Sequence, residues 1–462
     1  MSETAPAETQ VLPRELVEQV QAATGAALEA VKLRGGGGAS REGAEITLRF
    51  PDGRTQRAYL SYDLLMAGPG DDASFLREAA ALRALSGPLK DSGVRAAPFI
   101  AAIPGSRALV TGFTEGDADF KKVKSPDARA RIAASFMAQL AALHRIDVEK
   151  TPVEGFGPVQ RPSEQAAGAI AAMRATSLAA GPDPLILLSL DWLERNIPND
   201  PERTVIVHSD AGPGNFLYQG EEVTALLDWE VVHYGDPMED LGMVCLRSLI
   251  QPFVPLPEAF AAYEAAGGAK VDLDRLRYYR LFYLTKFGGR AGRFTDPGVP
   301  PPPVIGMSLM FHAMQRLVLT ETLSEMMGVD LTWIEAPDAP APQYDRTYEI
   351  ALSDLRDVIV PRLDQQASAK AKGLARLVKW WRNSARYGPA LDAAELEDLA
   401  QAFGRRFDSV LEGRRALCDA ILAHNIDPAR AMRLCQRITG AERILLSDSM
   451  GALADTRFAP LT

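Results

Sequence analysis

The amino-acid sequence predicts an α+β protein, with strands in its first third and mostly helices in the remainder. Two short segments of strand character, 45–50 and 55–61, flank the sequence PDGR, in which Pro and Gly preset the backbone of a turn. Strand character returns at 204–207 and in a hairpin around Gly220, within a chain that otherwise has helical periodicity. We therefore expect a small strand-rich part followed by a large helical part.

The composition is that of a globular protein, with 462 residues of which 47% are hydrophobic and 24% charged. The net charge of −10 argues against a general nucleic-acid binder, which is basic. The three cysteines have no metal-ligand spacing, and no apolar stretch has the length of a membrane span. The first residues, MSETAPAETQ, lack the features of a signal peptide. We expect a cytoplasmic protein that binds neither nucleic acid nor membrane.

Composition and helix signals divide the chain into segments. A helix is predicted from Pro13 to Gly25, because Pro favours the first turn and Gly the end of a helix. Near the C-terminus, Asp392 and Glu395 have the spacing of a capping box and predict the start of a helix that ends at Gly404. The predicted segments are a disordered N-terminus (1–12), a strand-rich lobe (13–115), a helical lobe (116–334), a linker rich in Pro and Ala (335–343) and a helical domain (344–462).

Three polar residues at the ends of apolar runs predict a phosphoryl-transfer site. Asp210 and Asn215 follow a short strand in VIVHSDAGPGNFL, and Asp228 ends the hairpin that Asn215 begins. In phosphoryl transfer, one carboxylate accepts the proton of the attacking hydroxyl, while an amide oxygen and a second carboxylate hold Mg²⁺. The order and spacing of these residues match a kinase catalytic loop followed by a metal-binding Asp. The alternative is a set of capping and turn carboxylates, which suits Asp236 as a turn residue and Asp240 as the organiser of a buried loop.

The blocks WLERNIPNDPERTVIVHSDAGPGNFL and ALLDWEVVHYGDPMEDLG resemble the aminoglycoside phosphotransferase and choline kinase-like family, in the branch associated with acyl-CoA dehydrogenases. The resemblance covers about residues 20–330 and implies a protein-kinase-like, two-lobed fold. It also implies that Asp210 is the catalytic base, that Asn215 and Asp228 are Mg²⁺ ligands, and that Glu230 lies near the metal. Ser209 stands where the family usually has Gly.

The same resemblance implies a nucleotide-binding N-terminal lobe. The sequence RGGGGASRE matches the position of a glycine-rich phosphate loop, whose backbone N–H groups approach phosphates closely; its alternative is a flexible linker. Glu78 is implied as the acidic partner of a phosphate-binding cation, and the sequence VTGF as the hinge that pairs with adenine. The nucleotide-binding residues expected in the loop and hinge are Gly36, Gly37, Gly38, Ser40, Val110, Gly112 and Phe113.

The sequence departs from the family at the phosphate-binding cation. The family has Lys or Arg near the end of the second strand, and this chain has Ser61 there. Arg41, in the glycine-rich loop, and Arg57, on the same strand face as Ser61, are the alternatives. We favour Arg57, extending towards Glu78, because a strand holds a long side chain more firmly than a loop does.

These observations predict an ATP- and Mg²⁺-dependent kinase that phosphorylates a hydroxyl group. The segments DLRDVIVPRL and YGPALDAAELEDLAQAFG resemble the small helical partner of 4-hydroxyacyl-CoA kinase in levulinate catabolism. This resemblance implies a hydroxyacyl-CoA thioester as the favoured acceptor, with a 4-hydroxyacyl group preferred. The alternatives are a kinase of a small alcohol or aminoglycoside-like acceptor, and an inactive kinase-like regulator that binds nucleotide. The basic, aromatic segment 275–294 predicts either a core stripe with a solvated basic face or a wall for coenzyme A.

Overall fold

The structure is a computed structural model, and it describes residues 12–34, 41–63, 72–288, 302 and 304–462. Its contacts divide the chain into two compact units. Unit 1 comprises Met1–Pro162, Asp200–Leu276 and Ala459–Thr462, and unit 2 comprises Ser163–Asn199 and Arg277–Phe458. Neither unit is continuous in sequence, so each is assembled from segments that are far apart along the chain.

Strands and helices alternate in the first half of the chain, and helices make up the second half. The elements before residue 200 are α1 (Arg14–Thr24), β1 (Ala27–Arg34), β2 (Glu42–Arg49), β3 (Thr55–Tyr62), α2 (Asp72–Ser86), β4 (Phe99–Ile103), β5 (Ala108–Gly112), α3 (Pro126–His144), α4 (Pro162–Ala180) and α5 (Pro184–Arg195). The elements after it are β6 (Val205–Val207), β7 (Phe216–Gln219), β8 (Glu222–Leu226), β9 (His233–Gly235), α6 (Pro237–Ser248), α7 (Leu256–Ala265), α8 (Leu273–Gly288), α9 (Ile305–Met327), α10 (Asp345–Ser353), α11 (Gln365–Phe403), α12 (Val410–Leu422) and α13 (Pro428–Met450). The predicted α+β class is confirmed.

The first five strands form an antiparallel sheet in the order β1-β2-β3-β5-β4. One face of this sheet is apolar, because alternate residues such as Ile46 and Leu60 point to the same side and are fully buried. Helix α1 covers that face with Leu16 and Val20. The opposite face of β3 and β5 is left to line a cleft. Strands β1 and β4 were not predicted, since β1 (ALEAVKLR) is rich in Ala, Leu, Glu and Lys, which favour helices, and β4 (FIAAI) has only five residues.

The remaining strands of unit 1 form two small ribbons that frame a loop. Strand β6 pairs with β9, and β7 pairs with β8 as the predicted hairpin around Gly220. Gly220 has a φ of 61°, which a glycine adopts without strain. Helix α6 begins at Asp236, which caps it in a capping box with Glu239. Asp236 is therefore a helix N-cap, and it also forms an ion pair with Arg275 at 2.6 Å.

Unit 2 is helical, and its core contains a buried ion-pair network. Arg316 on α9 is 3% exposed and contacts Asp183, the N-cap of α5, and Glu442 on α13, each at 2.8 Å. The hydroxyl oxygens of Thr320 on α9 and Thr439 on α13 lie 2.9 Å apart, within hydrogen-bond distance. Helices from both sides of the predicted linker 335–343 thus share one core. The two units defined by contacts are therefore not separated at residues 335–343.

Two further sequence expectations concern unit 2. The predicted capping box at Asp392 is wrong, because α11 runs without interruption through Pro389 and Asp392, and Glu395 instead accepts two hydrogen bonds from Arg414 at 2.6 and 2.7 Å. In α8, Tyr279 and Tyr283 are buried, as the core-stripe interpretation expects.

Within the described part of the chain, no helix is both long and apolar enough to cross a bilayer.

Candidate functional site

The loop between β6 and β7 carries Asp210 and Asn215, and a buried carboxylate holds its first turn. Asp240 on α6 is fully buried and accepts hydrogen bonds from the backbone N–H groups of His208 (2.8 Å) and Ser209 (2.7 Å). Burial acts to raise the pKa of Asp240, but the hydrogen bond and charge of His144 and the amide of His208 outweigh it, and the pKa lies below its usual value. Asp240 therefore organises the loop, as expected from the sequence.

The backbone is left-handed at two positions of the site. Ser209 and Asp228 each have a φ of 66°, a conformation that costs a non-glycine residue roughly 1–2 kcal/mol. A Gly, which the family that this sequence resembles usually has at this position, adopts the conformation without that cost. In this chain, the hydrogen bond from Ser209 to Asp240 holds the residue in place. Such strain, held by surrounding contacts, is typical of functional loops.

Asp210 and Asn215 lie in direct contact. The Asn215 side-chain Nδ2 donates to Asp210 Oδ2 at 2.5 Å and to the Asp210 backbone oxygen at 2.9 Å. The other carboxylate oxygen, Oδ1, accepts from Arg247 Nη1 at 2.8 Å. Both oxygens of Asp210 are thus held in a fixed orientation.

The β7–β8 hairpin brings Asp228 to the same place. The backbone N–H of Leu227 donates to the backbone oxygen of Asn215 at 2.9 Å, so the residue after Leu227 follows directly beside the loop. His208 Nε2 contacts the backbone oxygen of Leu227 at 2.8 Å, and the His208 ring packs against buried Trp229. The hairpin therefore gathers the three residues that the sequence spacing predicted to meet.

Asp228 lies in a strongly negative environment. Its pKa is raised to about 7, first because the surrounding protein removes water from the carboxyl group, and then because Glu230, Asp210 and Glu78 repel its charge. Arg247 acts in the opposite direction. A bound cation would relieve this repulsion, so the carboxylates form a ready position for positive charge.

The donor set fits Mg²⁺ at this position. No cluster of three His, Cys, Asp or Glu side chains suited to a metal occurs among the described residues. Mg²⁺ does not require one, because it is usually held by one or two carboxylates together with substrate phosphates and water. Asn215 Oδ1 and the Asp228 carboxylate supply oxygen ligands of this kind, beside the negative charge of Glu230.

A cleft of about 480 Å³ opens between these residues and the five-stranded sheet. Its lining includes Asn215 and Asp228 from the hairpin, and Glu78 from α2. From the sheet, the lining includes Arg41, Tyr59, Ser61, Leu109, Thr111, Gly112 and Phe113. The space is of the size that encloses small-molecule ligands.

Arg41, which immediately precedes β2, brings positive charge to the cleft. Arg41 Nη1 lies 2.5 Å from Glu78 Oε2, and both side chains are largely buried, at 16% and 11% exposure. Burial raises the pKa of Glu78, while the charge of Arg41 opposes the rise. Ser61 lies in the same lining without a charge of its own.

Arg57 does not extend towards Glu78, and the preference for it is wrong on this point. Its guanidinium binds Glu45 at 2.6 Å, also pairs with Glu115, and stacks on the Phe113 ring at 4.0 Å. The side chain is 52% exposed. The strand does hold Arg57 firmly, but it directs the side chain to acidic neighbours on the surface.

The predicted hinge occupies the end of β5, but its backbone donors are already used. Gly112 N–H donates to the Pro98 oxygen at 2.7 Å, and Phe113 N–H donates to the Arg57 oxygen at 3.2 Å. The Val110 side chain is fully buried in the apolar core on the other face of the sheet. Thr114, which also lines the cleft, comes directly after these two residues in the chain. The predicted loop residues Gly36, Gly37, Gly38 and Ser40 lie outside the described residues.

Arg247 is the site residue that the sequence reasoning did not identify. It lies on α6, outside the catalytic-loop spacing, and its contacts with Asp210 and Asn215 join positions more than thirty residues apart. The only local signal is a pair of glycines, Gly212 and Gly214, in the loop that Arg247 covers.

Comparison with known proteins gives a family match that covers the site. Residues 48–279 match the profile of the phosphotransferase enzyme family. This range includes the sheet from β3 onward, the loop with Asp210 and Asn215, and the hairpin that ends at Asp228. The match agrees with the predicted protein-kinase-like fold.

Curated relatives match over part of the chain. Mouse acyl-CoA dehydrogenase family member 10 is 25% identical over 169 residues, which are 35% of this chain and 15% of the relative. Human acyl-CoA dehydrogenase family member 11 is 29% identical over 142 residues, which are 29% of this chain and 17% of the relative. The matches thus span about a sixth of these relatives' own length.

Solved structures of similar topology include two antibiotic phosphotransferases. A macrolide 2′-phosphotransferase from Brachybacterium faecium is 20% identical, with 62% of this chain and 94% of that chain covered and a TM-score of 0.46. An aminoglycoside phosphotransferase solved with AMP-PNP and hygromycin B is 15% identical, with the same coverage of 62% and 94% and a TM-score of 0.46.

Proposed function

Because the chain belongs to the phosphotransferase enzyme family, and is thus a kinase-type phosphotransferase, we propose that it transfers the terminal phosphoryl group of ATP to a hydroxyl group of a small molecule. The observation that carries this proposal is the cleft that brings Asn215 and Asp228 opposite the Arg41–Glu78 pair. Oxygen ligands for a divalent cation thereby face a cation suited to phosphate, as phosphoryl transfer requires.

Asp210 is the proposed base. As the acceptor oxygen bonds to phosphorus, its proton passes to the Asp210 carboxylate and the bond from phosphorus to the departing diphosphate oxygen breaks. Asn215 and Arg247 hold both carboxylate oxygens, which fixes the direction in which the proton is accepted. Asp240, through the backbone of His208 and Ser209, holds the loop itself.

Asn215 Oδ1 and Asp228 are the proposed Mg²⁺ ligands, with Glu230 nearby. When bound, the ion supplies neutralisation of charge on the phosphate oxygens. The crowding of carboxylates around Asp228 supports this assignment, because their mutual repulsion favours a cation there.

Arg41 is the proposed phosphate-binding cation, oriented by Glu78. A guanidinium provides several N–H donors, so Arg41 retains donors for phosphate while one binds Glu78. The glycine-rich segment with Gly36, Gly37, Gly38 and Ser40, which precedes Arg41, is proposed to cover the phosphates. Adenine is proposed to pair with the backbone beyond Phe113, since the N–H groups of Gly112 and Phe113 serve the sheet.

The favoured acceptor is a hydroxyacyl-CoA thioester, with a 4-hydroxyacyl group preferred. It is supported by the names of the partial relatives, which belong to acyl-CoA dehydrogenase family members. A small alcohol or aminoglycoside-like acceptor is the alternative. The second alternative, an inactive regulator, was motivated by the missing cation at Ser61, and the position of Arg41 beside Glu78 argues against it.

The test is a panel of acceptors with purified protein, ATP and Mg²⁺, followed by ADP formation and by mass spectrometry of the product. The panel pairs short-chain 4-hydroxyacyl-CoA and 3-hydroxyacyl-CoA thioesters with their free hydroxy acids, and adds a small amino alcohol and an aminoglycoside. Acceptor-dependent ADP and a product heavier by one phosphoryl group are expected for a CoA thioester. Phosphorylation of the aminoglycoside or alcohol instead would contradict the CoA assignment. Nucleotide binding without any product would favour the regulator.

A further inference from the structure

Arg247 makes three contacts with the loop that carries Asp210. Its Nη1 donates to Asp210 Oδ1 at 2.8 Å, its Nη2 donates to Asn215 Oδ1 at 3.0 Å, and its Nε donates to the Pro213 backbone oxygen at 3.1 Å. The side chain is 22% exposed. It belongs to α6, which is separated from the loop in sequence by the β7–β8 hairpin and β9. One guanidinium thus binds the proposed base, a proposed metal ligand and the backbone between them.

The loop has the shape that this arginine needs. Gly212 has a φ of 146°, and a Cβ there would lie 2.9 Å from both Cβ and Cδ of Arg247. Gly214 has a φ of 96°, and a Cβ there would lie 2.6 Å from Gln251 Nε2 and 3.0 Å from Arg247 Nη2. The backbone conformation therefore favours glycine at both positions, and the close approach of Arg247 adds to this preference at Gly212.

The three side chains form a closed set of hydrogen bonds. Asn215 Nδ2 donates to Asp210, so Asn215 Oδ1 is the atom that faces Arg247. Rotating the amide by 180° would place two donors against each other, which fixes its orientation. The oxygen assigned to Mg²⁺ is therefore the same oxygen that the guanidinium binds.

We propose that Arg247 is a positioning residue of the phosphotransfer reaction, which holds Asp210 and Asn215 relative to each other and keeps positive charge beside the carboxylates before a divalent cation is bound. The proposal rests on the roles proposed above for Asp210 and Asn215. The guanidinium places its charge 3.0 Å from Asn215 Oδ1, the oxygen assigned to the metal.

Such a role has two consequences of opposite direction. Removing the guanidinium loosens the base and slows the reaction. Removing its positive charge also makes the site more negative and frees Asn215 Oδ1, so a divalent cation binds more tightly. A residue that only supported the fold would weaken both properties together.

The experiment compares Arg247→Gln and Arg247→Lys with the unaltered protein and with Arg129→Gln. Arg129 is a partly exposed arginine that donates to the backbone oxygens of Pro252 and Phe253, so its removal controls for general loosening. Mn²⁺ binding without nucleotide is measured by electron paramagnetic resonance, and ADP formation is measured with the best acceptor, or with water when no acceptor is active.

Arg247→Gln is expected to bind Mn²⁺ about tenfold more tightly, from the loss of one charge near the site, while its kcat falls about thirtyfold or more and its KM for ATP stays within about threefold. Arg247→Lys keeps the charge, so its Mn²⁺ affinity stays near that of the unaltered protein while kcat is partly restored. Arg129→Gln leaves Mn²⁺ affinity and kcat unchanged.

Unaltered Mn²⁺ affinity in Arg247→Gln, or a kcat within threefold of the starting protein, would overturn the role of Arg247 while leaving the proposed function intact. If Arg247→Gln does not fold, Arg247→Lys decides: full kcat in that variant also overturns the proposal. Absence of Mn²⁺ binding by the unaltered protein would overturn the proposed metal site, and this inference with it.

Discussion

Two arginine–carboxylate pairs belong to the candidate site, and they differ in how far the sequence predicts them. Arg41 and Glu78 join the start of β2 to α2 on the side of the sheet, at 2.5 Å. Arg247 and Asp210 join α6 to the loop after β6, at 2.8 Å. Asp210 occupies a position that the motif spacing predicts, and Glu78 one that the family resemblance implies, whereas each arginine comes from a separate element. The arginines therefore reach these carboxylates through the tertiary fold.

A third arginine makes the contrast clearer. Arg316 in unit 2 is buried between Asp183 and Glu442, and each of its ion pairs joins helices of the core. Arg41 instead lines the cleft, and Arg247 contacts Asp210 and Asn215; both side chains are partly exposed, at 16% and 22%. We expect substitution of Arg41 or Arg247 to change binding or turnover, and substitution of Arg316 to change stability.

The largest effect is expected at the carboxylate of the Arg247 pair. Asp210→Asn keeps the shape of the side chain but cannot accept the proton, so turnover should fall by roughly 100-fold or more, the usual contribution of a positioned base. Nucleotide binding should be retained. Turnover and ATP affinity of Asp210→Asn are compared with those of Asp127→Asn, an exposed acid in the first turn of α3. Unchanged turnover in Asp210→Asn would contradict its role as the base.

Arg316→Met should give the largest loss of stability. Removing one partner of a buried ion pair leaves its carboxylates uncompensated and typically costs about 3–5 kcal/mol. Urea unfolding should show this loss, while ATP affinity measured in the native baseline stays unchanged. Arg457→Met is the matched control, because Arg457 pairs with Glu321 in the same unit but is 40% exposed, and it should lose less than about 1 kcal/mol. Equal losses in the two variants would show that the Arg316 network is not the core contact we describe.

Arg41→Ala should weaken ATP binding by about tenfold or more, because charge-assisted hydrogen bonds to phosphate are typically worth roughly 1.5–3 kcal/mol. Glu78 would then remain buried without its partner, which raises its pKa further. Arg41→Lys keeps the charge and should recover part of the affinity. Calorimetric titration with Mg²⁺ and ATP gives both dissociation constants. An alanine variant with unchanged affinity would mean that another group holds the phosphates.

The pH dependence of metal binding tests the carboxylate side of the cleft. Asp228 has a pKa of about 7, and the charges that face it are those of Glu230, Asp210, Glu78 and Arg247. Protons compete with the metal for this carboxylate, so Mg²⁺ affinity should rise about tenfold between pH 6 and pH 8. Since folding raises this pKa, the metal-free protein should lose stability as pH rises through 7. Calorimetry and thermal unfolding at both pH values measure the two trends, and Asp228→Asn should flatten them.

The sequence predicts the site better where contacts are local. Asp210 and Asn215 are five positions apart, and a single hairpin returns the chain to Asp228, so spacing alone brings the three together. Arg247 meets them only because Asp240, two turns earlier on α6, anchors that helix to the start of the same loop. The spacing of residues in the loop therefore could not predict that α6 supplies the arginine that binds Asp210 and Asn215.

The same limit applies to the fold. Strands β2 and β3 have strand-forming residues around a clear turn and were predicted, whereas β1, which is rich in residues that favour helices, and the short β4 depend on pairing with neighbours in the sheet. The helix boundary predicted at Asp392 failed because tertiary contacts along α11, including the Glu395–Arg414 pair, outweigh a local capping signal. Predicted domain boundaries at 335–343 likewise rest on composition, which does not reveal that α9 and α13 share the Arg316 network.

The smallest effect is expected for Arg57→Ala, the counterpart of Arg41→Ala. Arg57 is 52% exposed and its partner Glu115 is 59% exposed, so solvent screens the pair and its net contribution is small. The guanidinium also covers the Phe113 ring at the end of β5, and its loss should slightly loosen that strand end. ATP affinity should therefore change by less than about twofold, because no phosphate-binding role falls to this side chain. The opposite ranking, with a large loss in Arg57→Ala and none in Arg41→Ala, would transfer the phosphate-binding role to Arg57. It would require the Arg57 guanidinium to leave Glu45 and Glu115 when nucleotide binds, which a structure of the nucleotide complex would reveal directly.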